Sequence, residues 1–323
     1  MRISPGTRMD ATISRGMFFG RLPASVPIAQ RPMPDHTTLS PDRRPRDDEI
    51  DVFGLTHIGL VRHINQDHFL LATIHRRVNV LQTSLSDFAR LEMADERLAF
   101  LAMIADGVGG AVGGEKASAT ALENAMQYVS SSLHCYDRVE TSDDGFGEQL
   151  QVAAMKCHDA VVARAAVEAD GRTMATTLTL FLGVWPWYYL LQVGDSRYYL
   201  YRDDLLTQVT RDQTLAQDLV DQGVFSRAVA ASSRLANVLS SSIGGETTTP
   251  VVTRLRASWR NVHLLCSDGL TKHVPDEKIA QRLSAMTSAQ QACEQLLQDA
   301  LDGGGTDNIT VVVGRFMPKE LPT

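Results

Sequence analysis

The stretch Thr173-Met174-Ala175-Thr176-Thr177-Leu178-Thr179-Leu180-Phe181-Leu182-Gly183-Val184-Trp185-Pro186-Trp187-Tyr188-Tyr189-Leu190-Leu191-Gln192-Val193-Gly194 carries no charge and is long enough to span a bilayer. Three features argue for a different reading. Pro186 sits between two tryptophans. Thr173, Thr176, Thr177, Thr179 and Gln192 dilute the apolar character. β-Branched and aromatic residues on both sides of the proline suit two buried strands joined by a turn at Val184–Trp187. No membrane span is expected.

Outward from that hairpin, apolar runs bounded by turn residues predict strands near 52–61, 67–74, 98–105, 197–202, 260–266 and 308–316. Helical spacing covers 114–133, 148–169, 212–223, 275–285 and 288–301. In the second of these, Val152, Met155, Asp159, Val162 and Ala166 recur every three to four residues, and the pattern stops near Asp170-Gly171. Two helices in a row followed by a strand meander do not fit a βαβ repeat. The order predicts an α+β layered sandwich of antiparallel sheets with paired helices packed on them.

Composition narrows the class. The 323 residues include 31 Lys and Arg against 38 Asp and Glu, a net charge of −7, which argues against nucleic acid as a main partner. At 44% hydrophobic residues the chain can bury a sizeable core. Four scattered cysteines without a CxxC pair point to free thiols in a reducing, cytoplasmic compartment. Residues 1–50 differ from the rest, with seven of the twelve prolines and eight arginines against six acids. No hydrophobic period persists there and no apolar run marks a secretory signal, so 1–50 read as a disordered tail and 51–317 as the folded domain.

Four acids stand at the mouths of apolar strands, mostly beside glycine: Asp67 before Phe69-Leu70-Leu71, Asp106 before Gly107, Asp268 before Gly269, and Asp307 after Gly303-Gly304-Gly305-Thr306. A single Asp-Gly is usually a turn. Several acids converging repel one another unless a cation lies among them. Oxygen donors without a His or Cys cluster select hard ions, Mg²⁺ or Mn²⁺, and two such ions can activate water against a phosphoester. Residue types and spacing alone leave turn and metal-site readings both open.

The blocks around these acids resemble, in order, the protein phosphatase 2C family in its compact bacterial form, over Asp51–Phe316. Gly59-Leu60-Val61-Arg62-His63-Ile64-Asn65-Gln66-Asp67 is similar to its first block. Ala105-Asp106-Gly107-Val108-Gly109-Gly110 with Gly114-Glu115-Lys116-Ala117-Ser118 is similar to the second, and Ala175-Thr176-Thr177 to its Gly-Thr-Thr. Gly194-Asp195-Ser196-Arg197, Ser267-Asp268-Gly269-Leu270 and Asp307-Asn308-Ile309-Thr310 match the remaining three.

The resemblance implies a four-layer α-β-β-α sandwich, two antiparallel sheets flanked by antiparallel helix pairs. It implies a metal-dependent phosphatase acting on phosphoserine and phosphothreonine in proteins, opposing a Ser/Thr kinase, as a monomer. Two Mn²⁺ or Mg²⁺ ions are implied. Asp106 would bridge them, Gly107 would offer its carbonyl, Asp268 and Asp307 would be further ligands, and Asp67 would act through a water. A bridging hydroxide would attack phosphorus in line, with Arg62 gripping the phosphate. A third, weaker ion is implied, with Asp170 the nearest candidate ligand.

Two departures from the family pattern stand out. Gln66 replaces a usual Glu, with altered metal affinity as the expected result, and Ala175 replaces a usual Gly in a block read as packing. His63, His57 and His68 are read as structural or surface residues. Asp195 and Arg197 are read as structural and mid-strand. Gln213–Gly244 is read as a flap over the cleft, and Thr73–Glu96 as a hairpin extension or a recognition insert. The competing functional readings are a catalytically silent module that binds phosphoproteins, and a hydrolase of small phosphoesters. A calcium-stabilised structural protein would need an acidic DxDxDG loop, and the sequence has none.

Overall fold

The computed structural model describes residues 43–78, 93–108, 113–132, 145–168 and 174–319. Its strands are β1 (Ile50–His57), β2 (Asp67–Val78), β3 (Met93–Val108), β4 (Ala175–Thr176), β5 (Leu178–Val184), β6 (Trp187–Val193), β7 (Arg197–Arg202), β8 (Leu205–Gln208), β9 (Val251–Arg256), β10 (Val262–Cys266) and β11 (Ile309–Phe316). The helices are α1 (Gly113–Ser131), α2 (Gly145–Glu168), α3 (Leu215–Asp221), α4 (Arg227–Ser232), α5 (Asp268–Thr271), α6 (Asp276–Ser284) and α7 (Ala289–Asp302). One sheet has the order β1-β11-β10-β7-β8. The other has the order β2-β3-β5-β6-β9, with β4 paired to the end of β3. All of these pairings are antiparallel.

The strands alternate between two apolar environments, so their sequences read as continuous apolar runs. On β3, Phe100, Ala102 and Ile104 face the other sheet, with Phe181, Tyr188, Leu190, Leu265, Val312 and Phe316. Leu101, Met103 and Ala105 face the helix layer, with Ala117, Ala121 and Ala125 of α1 and Ala154 and Val161 of α2. The second sheet repeats the pattern: Leu265 and Val312 point inward, while Leu264, Cys266, Val311 and Val313 meet Leu283 of α6 and Ala292 and Leu296 of α7. Two sheets with helices on both outer faces make the four-layer sandwich. Truncating a fully buried centre such as Met103 or Leu180 to alanine would cost about 2–5 kcal/mol.

The stretch at 173–194 folds as its composition dictates. β5 and β6 form a hairpin with Val184 opposite Trp187, and nearly all of its residues are buried. Among the described residues, no helix is long and apolar enough to cross a membrane.

Some elements depart from expectation. β9 was not predicted because its sequence, Val251-Val252-Thr253-Arg254-Leu255-Arg256, alternates instead of running apolar. It is an edge strand whose Arg254 and Arg256 stack on Trp187, 3.5 and 5.2 Å from the ring centroid. β8 is a four-residue edge strand, reached through Asp203 and Asp204 at φ 51° and 61°, the two-residue hairpin turn that suits aspartate. Gly194-Asp195-Ser196 is not mid-strand. It is the crossover from β6 in one sheet to β7 in the other.

The tail boundary also shifts. Arg43 to Glu49, assigned by composition to the tail, lie on the domain. Arg43 grips the buried Glu49 with bonds of 2.6 and 2.9 Å and stands 4.7 Å from the Trp259 ring, while Met317 N–H donates to the Glu49 carbonyl at 2.8 Å. The Arg43 guanidinium, helped by the backbone N–H groups of Arg46 and Lys319, holds the Glu49 carboxyl down against its burial, to about 2.

Candidate active site

Antiparallel pairing brings the four strand-end acids to one end of the sandwich. Asp67 opens β2 and lies opposite Asp106 near the end of β3. In the other sheet, β10 ends just before Asp268 and β11 begins just after Asp307. Ser267 and Thr310 stitch the sheets together here. Both hydroxyls donate to Asp67 Oδ2, at 2.7 and 2.8 Å, and Thr310 N–H donates to Ser267 Oγ at 2.9 Å.

Asp106 is held through its backbone. Its N–H donates to Thr177 Oγ1 and its carbonyl accepts from Thr177 N–H and Thr176 Oγ1, all at 2.9 Å. Thr177 also shares a 2.8 Å hydrogen bond with Ser196. The Ala175-Thr176-Thr177 block, expected to be packing, therefore positions a site carboxylate. Gly107 lies where α1 starts against β3, and a Cβ there would stand 2.2 Å from the Gly114 carbonyl oxygen, so no larger residue fits.

Arg62 rides on the loop 58–66, which is not a strand. Asn308 staples that loop to β11. Its Oδ1 accepts from Gln66 N–H at 2.9 Å, and its Nδ2 donates to the Ile58 and Ile64 carbonyls at 2.9 and 3.0 Å. Gly59 lets the loop pass over Asp307. Its φ is +82°, and a Cβ would lie 2.1 Å from the Asp307 carbonyl oxygen. The Arg62 guanidinium grips Asp307 through two atoms, Nε to Oδ1 at 2.7 Å and an outer nitrogen to Oδ2 at 2.9 Å.

Lys272, one helical turn beyond Asp268, reaches both outer carboxylates. Its Nζ is 2.6 Å from Asp268 Oδ2 and 2.7 Å from Asp307 Oδ2. It was not singled out in the sequence, because a lysine beside the Asp268 block carries no motif of its own.

These environments separate the acids. Burial pushes Asp67 up to about 6 against the lowering effect of its two hydroxyl donors. Burial and then the Asp67 charge push Asp106 well above the usual carboxylate range. The two carboxylates lie opposite each other, and the charge of one disfavours ionisation of the other. Burial also raises Asp268. For Asp307 burial acts upward, but hydrogen bonds from Arg62 and Lys272 outweigh it, and the net shift is downward. Burial, followed by the charges of Asp268 and Asp212, pushes Asp195 up to about 8. Asp195 thus belongs to the same electrostatic cluster, although its crossover position hid this from a reading by strand. Arg197 is structural as expected, bound to Asp212 at 2.7 to 3.2 Å and to the Tyr199 hydroxyl at 2.8 Å.

His57, His63 and His68 stand apart from this chemistry. His63 is exposed. His57 accepts from Gly59 N–H at 2.9 Å, and His68 bonds Ser118 at 2.9 Å. Asp170 lies outside the described residues.

Beside the acids lies a cleft of about 1280 Å³. Arg62, Asp195, Asp268, Lys272 and Asp307 line one part of it, and α4 and the following 3-10 turn at Arg234–Asn237 line another. The segment 213–244 therefore borders the site, as expected of a flap.

The donor set fits hard divalent ions, being all oxygen and richer in carboxylates than in cations. Asp67 Oδ1 and Asp268 Oδ1 are buried with no hydrogen-bond partner. Among the described residues, no three acidic, His or Cys side chains already close on a single point. Arg62 and Lys272 hold the outer carboxylates instead.

A profile of the protein phosphatase 2C family matches residues 82–302. The serine/threonine protein phosphatase PstP of Mycobacterium tuberculosis is 38% identical over 213 residues, 66% of this chain and 40% of that protein. The match thus spans well under half the length of that relative. The serine/threonine phosphatase stp of Listeria innocua is 30% identical over 214 residues, 66% of this chain and 83% of that protein. The crystal structure of the PstP catalytic domain in complex with two manganese ions superposes with a TM-score of 0.64 at 30% identity, covering 83% of this chain and 99% of that one.

Proposed function

The chain belongs to the protein phosphatase 2C family, and from that premise we propose that it removes phosphate from phosphoserine and phosphothreonine in proteins, using Mn²⁺ or Mg²⁺. One observation carries the reading: Asp67, Asp106, Asp268 and Asp307, from four separate sequence blocks, share one end of the sandwich beside the Arg62 fork. Asp106, the Gly107 carbonyl, Asp268 and Asp307 would hold two ions, with Asp67 ordering a water beside them. When bound, the ions supply an acidified water as nucleophile and positive charge toward the phosphoryl oxygens.

The chain's own residues do the rest. Once Asp307 is otherwise engaged, the Arg62 fork is free to take two phosphate oxygens, and it stabilises the charge that builds in the transition state. Ser267 and Thr310 keep the Asp67 carboxyl aimed. Thr176 and Thr177 keep the Asp106 backbone in place. A third, weaker ion, for which Asp170 is the candidate ligand, belongs to the same reading.

The cleft exceeds the usual small-molecule range of about 300–1,000 Å³, which favours a protein segment over a small phosphoester. The natural partners would be a Ser/Thr kinase and its substrates, met by a monomer in the cytoplasm. The free, buried Cys157, Cys266 and Cys293 suit a reducing compartment.

The test is phosphate release from a phosphothreonine peptide in Mn²⁺, Mg²⁺ or EDTA, with Asp268→Asn alongside. Turnover that requires the ion and collapses in the variant is expected. Absence of turnover by folded protein in either ion would favour the silent phosphoprotein-binding module instead.

A further inference from the structure

Lys272 is the only described lysine that bonds two of the site carboxylates at once. Its Nζ spans Asp268 Oδ2 at 2.6 Å and Asp307 Oδ2 at 2.7 Å, from a half-buried position at the end of α5. The geometry is built from rigid parts. Asp268 and Lys272 lie one turn apart on the same helical segment, and Asp307 is fixed by Asn308 N–H on Oδ1 at 2.9 Å and by the Arg62 fork. An ammonium in this place draws together two like charges that would otherwise repel each other across the sheet ends. It also occupies lone pairs on the same oxygens that the proposed function assigns to divalent ions.

We propose that Lys272 is a tethered cation that competes with the metal: it holds Asp268 and Asp307 together in the metal-free protein and must leave them when an ion is loaded. This rests on the reading of the site as a divalent-metal centre and adds a residue that sets how tightly the centre binds. Two consequences follow with opposite signs. Without the ammonium, Asp268 loses its direct ion-pair partner in the metal-free protein, and the fold loses stability. An incoming ion, meanwhile, no longer has to displace a bound cation or approach a fixed positive charge, and binds more tightly. A residue that merely braced the fold would lower stability without tightening metal binding.

The experiment is a Mn²⁺ titration of the full chain after EDTA treatment and dialysis, followed by calorimetry or by the electron paramagnetic resonance signal of free Mn²⁺. Lys272→Met, Lys272→Gln and Lys272→Arg are compared with the unaltered protein, and the melting temperature of each metal-free form is recorded. Lys272→Gln keeps a hydrogen-bond donor without charge and decides the matter if Lys272→Met does not fold. The expected result is Mn²⁺ binding at least about tenfold tighter in the two uncharged variants, a lower melting temperature for both without metal, and near-unaltered behaviour for Lys272→Arg. Binding by the unaltered protein with equal or weaker affinity in the uncharged variants would overturn the role of Lys272 and leave the functional reading standing. Failure of the unaltered protein to bind Mn²⁺ even at millimolar concentration would overturn the metal-dependent reading itself, and this proposal with it.

Discussion

The two halves of the site hold their carboxylates by opposite means. The inner half is met by neutral groups: the buried Asp67 accepts from the hydroxyls of Ser267 and Thr310, and the half-buried Asp106 is fixed through its backbone by Thr176 and Thr177. The outer half, Asp268 and Asp307, is half-buried and held by cations, Lys272 and Arg62. Burial pushes the inner pair up, and Asp268 as well in spite of Lys272. Cationic partners pull Asp307 down. The contrast shows two ways to hold like charges close together: neutral hydrogen-bond donors in one half and cations in the other.

The strongest way to break the comparison is to remove an acid from either half. Asp106→Asn and Asp268→Asn should each lower phosphopeptide turnover on the order of 10³-fold, because each removes a proposed metal ligand. Steady-state rates at saturating Mn²⁺ check this. Arg62→Ala should cost about 10²-fold in kcat/KM, since it deletes the phosphate fork while leaving the inner half intact. If metal affinity did not rise in the same variant, Arg62 would not be restraining Asp307.

Ser267→Ala probes the inner half alone. It removes a donor to the buried Asp67, and chemical denaturation should show a loss of about 1–3 kcal/mol.

Proton linkage sharpens the contrast in the metal-free protein. Asp67 and Asp195 have raised values in the fold, about 6 and about 8, above the ordinary aspartate range. Their contribution to stability is present at acid pH, below the unfolded value, and is lost as pH rises through those folded values. Asp307 runs the other way: its contribution is lost as pH falls. Metal-free protein should therefore lose stability between about pH 4 and 8, at a limiting slope of about 1.4 kcal/mol per pH unit for each retained proton. Saturating Mn²⁺ should flatten that slope, as melting temperatures across the pH range would show. The smallest effect belongs to His63→Gln, expected to leave turnover within about twofold, because the ring is exposed and touches neither half.

Much of this was legible from the chain. The hairpin at 178–193 followed from its composition, and the two-sided burial of β3, β10 and β11 explains why their sequences ran apolar without alternation. The four acids were visible as strand-end residues, because a strand end is a local feature. What joins them was not. The Ser267 and Thr310 hydroxyls that clasp Asp67 are about 200 and 243 residues away from it along the chain. Asn308 acts on the Arg62 loop across a separation of about 242 to 250 residues. Asp195 entered the cluster because the chain changes sheets between β6 and β7, which apolar runs do not mark. β8 and β9 escaped notice because edge strands bury only part of each residue and need no continuous apolar run.

On the proposed function, acids from both halves together would form a two-ion centre. The most direct measurement is a crystal structure of the Mn²⁺-loaded protein with anomalous scattering recorded at the manganese edge. The account predicts two manganese peaks, with Asp106 touching both, Asp268 and Asp307 drawn from Lys272 and Arg62 onto metal, and Asp67 bonded to a water. Peaks absent from the junction of the two halves, in crystals grown at saturating Mn²⁺, would contradict it.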